Sequence, residues 1–264
     1  MSLSQADAFA ITKNDEPGDM YRRTDVLRTD LNSLAATVGT LTPTLLGAKF
    51  FSDCGTVAEG GYLQAVSGTA ASVGAASSSD IPSGSNWCGV LSLSTGTDTT
   101  GRAAQRTGTT IFNTALGQCI YQTVIAIPTL SDGTNTYTMR LGFKDTDGSD
   151  PTDGAYFVIG GGNANFRCRT RAATTQTEVD SGVAVVAATE YTLFVIMTTS
   201  AALFYVNNTL VANITTNIPT GWAQSYGAGA EIFKSAGGTA RVFVCDMQLA
   251  YQNLTTPRNW TVPT

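Results

Sequence analysis

YTLFVIMTTSAALFYVNNTLVANITTNIPT, residues 191–220, decides the fold. YTLFVIMTT reads as one strand, and LFYV and TLVANI read as two more, joined by the two-residue turn Asn207-Asn208. A two-residue hairpin turn whose twist matches its strands needs φ > 0 at both central positions. Asn reaches that region more readily than other residues with a side chain. Tyr, Phe, Val, Ile and Thr suit a pleated, half-buried surface, so the strand assignments have a packing basis. The stretch predicts sheet and contains no catalytic chemistry.

The same reading extends along most of the chain. GQCIYQTVIAIPTL (117–130) and TNTYTMRLGFKD (134–145) flank Ser131-Asp132-Gly133, a spacing that predicts a hairpin. In the second of these, Tyr137, Met139, Leu141 and Phe143 alternate with Thr138, Arg140 and Gly142, the pattern of a sheet with one wet face. WCGVLSL (87–93), AYFVIG (155–160), NFRCRT (165–170) and ARVFVCDMQLAY (240–251) predict further strands. In the last, Phe243, Cys245, Met247, Leu249 and Tyr251 are expected on one face. Residues 67–86 and 94–110, rich in Ser, Thr, Ala and Gly, read as long surface loops with short strands between. The tail LTTPRNWTVPT reads as extended. Many strands and one helix predict two packed sheets.

Residues 1–47 differ. They read as an arm carrying one helix at about residues 25–38, with Thr24 as N-cap and Gly39 as its stop. Leu27, Leu31, Leu34 and Val38 form a single apolar stripe. That stripe suits packing on its own domain or a neighbouring protein, or a short trimeric coiled coil. Residues 48–264 then form the sandwich with its extended tail.

Composition narrows the function. Fifteen basic residues against twenty acidic ones, a net charge of −5, give no basic field to grip nucleic acid. The absence of His removes Ser-His-Asp and Cys-His catalysis, His metal sites and His-based pH switching. The five cysteines are widely spaced with no CxxC, and those inside apparent strands (Cys119, Cys168, Cys245) are expected to be reduced core residues. The N-terminus shows neither the basic nor the apolar segment of a secretory signal, and no apolar run reaches membrane-spanning length. Synthesis in a cytoplasm without membrane insertion is expected.

Several segments together carry a resemblance: LSLSTGTDTTGRAA (91–104), LSDGTNTYTMRLGF (130–143), VDSGVAVVAATEYTLFVIMTT (179–199), FYVNNTLVANITTNIPT (204–220) and GAGAEIFKSAGGTARVFVCDMQLAYQNLTTPR (227–258). In this order they resemble the concanavalin A-like domains of bacteriophage tail-fibre and other virion structural proteins. The resemblance implies an all-β, two-sheet concanavalin A-like jelly-roll sandwich preceded by a short arm that attaches to other virion proteins. It also implies a homotrimer, a place on the virion surface, and a host surface glycan as ligand. A short tail-fibre-type host adhesin fits this plan. A capsid or tail decoration (cement) protein is the alternative, and a glycan hydrolase is the third reading.

Three groups of residues are site candidates. Asp145, Asp147, Asp150 and Asp153, in DTDGSDPTDG, offer hard oxygen ligands for Ca²⁺, although Gly148 falls at the wrong position for an EF-hand and the same residues make metal-free turns. Glu178 and Asp180 sit two apart on a strand, about 6.6 Å of rise, near the ~5–5.5 Å between carboxyl groups that a retaining glycosidase requires. Ser181-Gly182 follows at once, however, and suggests a strand end, and a third acid is missing. Trp222 and Tyr226, in PTGWAQSYGAG, are the aromatics placed for stacking on sugar or for a protein contact, since they read as loop residues. Trp87 reads as buried.

Overall fold

The computed structural model describes residues 46–52 and 62–256, apart from Cys88 and Trp222. The chain divides into two units, Met1–Thr44 and Leu45–Thr264, and the described residues belong to the second. The helix stripe Leu27, Leu31, Leu34 and Val38 lies outside the described residues, as does the end of the tail.

Among the described residues fifteen strands follow one another. The first five are β1 (Leu46–Ser52), β2 (Leu63–Ser67), β3 (Ser72–Ala75), β4 (Leu91–Ser94) and β5 (Arg102–Arg106). After a 3-10 turn at Thr114–Leu116 come β6 (Gly117–Ala126), β7 (Tyr137–Lys144), β8 (Gly154–Gly160), β9 (Asn163–Ala172) and β10 (Thr175–Ala184). The chain continues through β11 (Glu190–Met197), β12 (Ala202–Val206), β13 (Thr209–Ile214), β14 (Gly227–Lys234) and β15 (Val242–Leu254). They form two antiparallel sheets: an 8-stranded one, ordered β13-β12-β11-β6-β15-β4-β3 with β1 also on β15, and a 7-stranded one, ordered β10-β9-β8-β7-β14-β5-β2. The predicted all-β, two-sheet sandwich is what the chain forms.

The decisive hairpin is present as read. Asn207 and Asn208 both have positive φ, 50° and 64°, which makes the β12–β13 connection a type I′ turn. The Asn207 side chain also accepts a hydrogen bond from the Thr192 backbone N–H at 2.9 Å, tying the turn to β11.

Two expectations are corrected. Segments 117–130 and 134–145 do not make a hairpin: β6 pairs with β11 and β15 in one sheet, and β7 with β8 and β14 in the other. Asp132 accepts from the N–H groups of Thr134 and Asn135 and pairs with Arg241, so its loop carries the chain from sheet to sheet. The face assignment in β15 also fails midway. Opposite β6, the register shifts between Cys245 and Met247, a bulge that reverses the alternation. Phe243 and Cys245 therefore point inward, but beyond the bulge Gln248, Ala250 and Gln252 are the buried set, with Met247, Leu249 and Tyr251 half-buried on the other face.

The core lies between the sheets and is organised by edge-to-face aromatic pairs. Phe143 meets Phe112 at 5.3 Å, Tyr226 at 5.7 Å and Tyr121 at 6.2 Å between ring centroids. Phe157 meets Phe204 at 5.2 Å and Phe166 at 6.1 Å. Each such ring contributes roughly 1.5–3 kcal/mol by burial and about 0.5–1.5 kcal/mol more by geometry. Buried Gln248 is satisfied, donating to Gln105 at 2.8 Å and accepting from Tyr121 at 3.2 Å. Cys119, Cys168 and Cys245 are buried and in no disulfide, and burial pushes the Cys119 and Cys168 thiols up to about 12. They serve as small core side chains, as expected.

Candidate functional site

The 7-stranded sheet turns one face to the core and the other outward, and the outward face gathers charge. Alternation buries Tyr137, Met139, Leu141 and Phe143 of β7 and sends Thr138, Arg140, Gly142 and Lys144 outward. The cross-strand partners of these outward residues continue the face: Val158 and Tyr156 on β8, Arg167, Arg169 and Arg171 on β9, Glu231 and Phe233 on β14, and Arg102 and Arg106 on β5. Seven of the chain's fifteen basic residues thus share one surface: Arg102, Arg106, Arg140, Lys144, Arg167, Arg169 and Arg171. The sequence signal for three of them was the Arg-x-Arg-x-Arg period of residues 167–171, which puts every Arg on one side of a strand.

The acidic loop between β7 and β8 lies down on this face. Asp147 pairs with Lys144 and, beyond β14, with Arg106. The Gly148 N–H donates to Glu231 Oε2 at 2.9 Å, and Arg140 Nη1 donates to the Ser149 carbonyl at 2.8 Å. Gly148 has φ +79°, a backbone that glycine adopts without strain, and a Cβ there would fall 1.4 Å from Arg102 Nη1 and force that guanidinium to move. Arg140 pairs with Asp150 and, at 3.1 Å, with Glu231, while its guanidinium stacks 4.5 Å above the Phe233 ring. Burial would raise the Asp147 pKa, but the neighbouring Lys144 and Arg106 outweigh it and hold the carboxyl below its ordinary value.

This arrangement gives each of the four loop carboxylates a protein partner. Asp145 accepts from the Thr152 N–H at 2.9 Å, and Asp153 from the Ala173 N–H at 2.9 Å and from Gln224 at 2.6 Å. Asp147 and Asp150 are held by cations. The four carboxylates do not converge, and among the described residues no group of three or more Asp, Glu, Cys or His could hold a metal.

Glu178 and Asp180 do project from the same face of β10, but into arginines. Glu178 accepts from Arg167 at 3.1 Å and from Arg169 at 2.9 and 2.5 Å. Asp180 accepts from Arg167 at 2.5 Å, Asn165 at 3.0 Å and the Gly182 N–H at 2.8 Å. That N–H, and then Asn165 and Arg167, lower the Asp180 pKa. The strand does not end at Ser181-Gly182 as expected; it runs on to Ala184 through an irregularity at Gly182, where φ is +70°.

The aromatic candidates fare differently. Trp222 lies outside the described residues. Tyr226 is fully buried: it bridges to Phe112 just before β14, stacks on Phe143, and accepts the Thr114 N–H at 2.8 Å on its hydroxyl. It is a core residue and not a surface contact. The glycines after it, read as loop, belong to β14; at Gly229 a Cβ would sit 2.2 Å from the Gln105 carbonyl of β5. Trp87 is only half-buried, with its indole N–H on Glu190 at 2.6 Å.

Beside the acidic loop a shallow depression of about 340 Å³ remains open, lined by Thr138, Arg140, Asp150, Asn163, Arg169 and Phe233 among others. It combines guanidinium, hydroxyl and amide groups with one aromatic wall. Such a site suits reversible recognition of a polar, hydroxyl-rich ligand.

Residues 86–246 match the model of a protein family described as SO2946-like, C-terminal domain. No curated protein matches in sequence. Among solved structures the chain is similar to a protein of unknown function, SO2946 from Shewanella oneidensis MR-1, with 16% identity over 87% of this chain and 97% of that chain, at a TM-score of 0.58. It is also similar to the carbohydrate recognition domain of Emp47p, with 12% identity over 81% of this chain and 100% of that chain, at a TM-score of 0.52. Identities this low speak for the fold, a lectin-like sandwich.

Proposed function

The chain belongs to the SO2946-like, C-terminal domain family, and from that premise we propose that it is a non-enzymatic, lectin-like surface protein of a bacteriophage particle that contacts a host glycan. The observation that carries the reading is the open depression on the 7-stranded sheet, with Arg140, Arg169, Asn163, Thr138 and Phe233 around it. A fold shared with a carbohydrate recognition domain supports the ligand class, and the segments that resemble phage tail-fibre domains support the setting. Residues 1–47 would attach to other virion proteins and hold three copies together, so that weak contacts by each sandwich add up on a host surface. The carboxylates on which hydrolysis would rest, Glu178 and Asp180, are committed to Arg167 and Arg169, which supports binding over cleavage.

A second reading, a capsid or tail decoration protein, draws on the other sheet. Phe194, Ile196, Leu203 and Tyr205 stand half-buried on the outer face of β11 and β12, and Leu210 is 50% exposed beside them. An apolar face of that kind suits contact with protein.

Gold-labelled antibody on intact particles tests both. Label at the tail supports the adhesin, label spread over the head supports decoration, and particles without label remove the virion reading.

A further inference from the structure

The outward face of the 7-stranded sheet holds seven cations against five carboxylates, Asp147, Asp150, Glu178, Asp180 and Glu231, in a chain whose net charge is −5. Its positive excess is concentrated where the acidic loop rests. Asp150 is the outermost of these acids: its side chain is 59% exposed, yet it sits between Arg140 and Arg171, whose side chains are only 5% and 11% exposed. The Nε atoms of both arginines are buried without a hydrogen-bond partner. Asp150 pairs instead with Nη2 of Arg140 and Nη1 of Arg171. Arg140 and Asp150 border a depression that also offers Thr138 and Asn163 for hydroxyls, the Phe233 ring as an apolar wall, and the Arg169 guanidinium, whose Nε and Nη2 are held by Glu178. Planar guanidinium groups match carboxylates in shape as well as charge.

We infer that this depression takes the carboxylate-bearing sugars of an acidic glycan, and that Asp150 is a resident carboxylate that the ligand must displace from Arg140 and Arg171. The inference rests on the glycan-binding reading above and specifies its ligand. Sugar hydroxyls alone would gain little from guanidiniums that Asp150 already pairs, whereas a uronate supplies the charge that Asp150 now supplies. Because the side chain of Asp150 is mostly in water, the exchange needs movement of one side chain and not unfolding of the loop.

The test is calorimetric titration of the full chain with tetragalacturonate and with its neutral methyl ester, using the native protein and the Asp150→Asn and Arg169→Gln variants, with melting temperatures to show that each is folded. The native protein is expected to bind the acid at least tenfold more tightly than the ester. Asp150→Asn should tighten the acid about tenfold and widen its preference over the ester, and Arg169→Gln should weaken the acid. A merely structural ion pair would give the opposite sign for Asp150→Asn, since loosening the loop does not create affinity. Equal binding of acid and ester, unmoved by Asp150→Asn, overturns the inference and leaves glycan binding standing. If neither saccharide binds any variant while the protein still adheres to host cells through periodate-sensitive sugars, the inference again fails alone. Loss of that adhesion too removes the glycan reading beneath it.

Discussion

Asp147 and Arg106 pair across the full width of β14, so one carboxylate pins the β7–β8 loop to a strand that is not its neighbour. The same carboxylate meets Lys144, whose side chain is wholly buried and whose other acidic neighbour, Glu231, stands 3.9 Å away. Removing the charge at residue 147 leaves a buried ammonium with one distant counter-ion. Asp147→Asn is expected to cost about 3 kcal/mol, the usual penalty for breaking a buried pair from one side. Urea denaturation of the variant measures it; a loss under about 1 kcal/mol would mean that water reaches Lys144.

The same pair sets a pH response. Lys144 and Arg106 lower the folded-state pKa of Asp147, so its stabilisation is fully present above the unfolded value of about 3.9 and is lost as pH falls through the folded value. Stability curves taken between neutral pH and strong acid should fall more gently for Asp147→Asn than for the native protein, because the variant has no proton to take up there. Parallel curves would show that other carboxylates govern the acid limb.

Glu178 and Asp180 make a surface ladder with Arg167 and Arg169, and both are partly exposed, at 21% and 45% of their side chains. Exposed pairs contribute little, so Glu178→Gln should lower stability by no more than about 1 kcal/mol. It should also leave any host polysaccharide as intact as the native protein does. Cleavage by the native protein that disappears in Glu178→Gln would make this chain an enzyme and overturn the binding role.

Chelation provides an independent check on the acidic loop. Because Asp145 and Asp153 are taken by N–H donors and Asp147 and Asp150 by cations, treatment with EDTA should not move the melting temperature. A drop reversed by added Ca²⁺ would show that the loop rearranges around a metal.

Much of the fold was legible in the sequence, and the failures share a cause. The Asn207-Asn208 hairpin could be read because its turn chemistry is local: two residues that tolerate positive φ, flanked by strand formers. The alternation of β7 was equally local. The connection from β6 to β7 was not, because Ser131-Asp132-Gly133 makes an Asp-capped turn in either topology, and only packing decides which sheet receives the next strand. The bulge in β15 is a register event between strands distant in sequence, so no alternation pattern within β15 reveals it. At the site, the Arg-x-Arg-x-Arg period placed a charged stripe on β9 that could have been read. Its meeting with Arg102, Arg106, Arg140 and Lys144 depends on strand order, which the chain does not display in sequence.

Tyr226 shows how a loop-like composition can hide a core residue, and it supplies a clean discrimination. Its hydroxyl accepts the Thr114 N–H at 2.8 Å where the 3-10 turn begins, and its ring packs edge-on against Phe143. Tyr226→Phe keeps the ring but leaves that N–H buried without its acceptor, at a cost of about 1–3 kcal/mol. Tyr226→Ala removes the ring as well and should cost about 3–5 kcal/mol, as large-to-small changes of aromatic core residues do. Denaturant unfolding should rank the two variants in that order, while saccharide binding by folded Tyr226→Phe matches the native protein. A residue that stacks on sugar would show the reverse: unchanged stability, binding kept by Phe and lost with Ala. The pair of variants therefore separates a structural tyrosine from a ligand contact in one series.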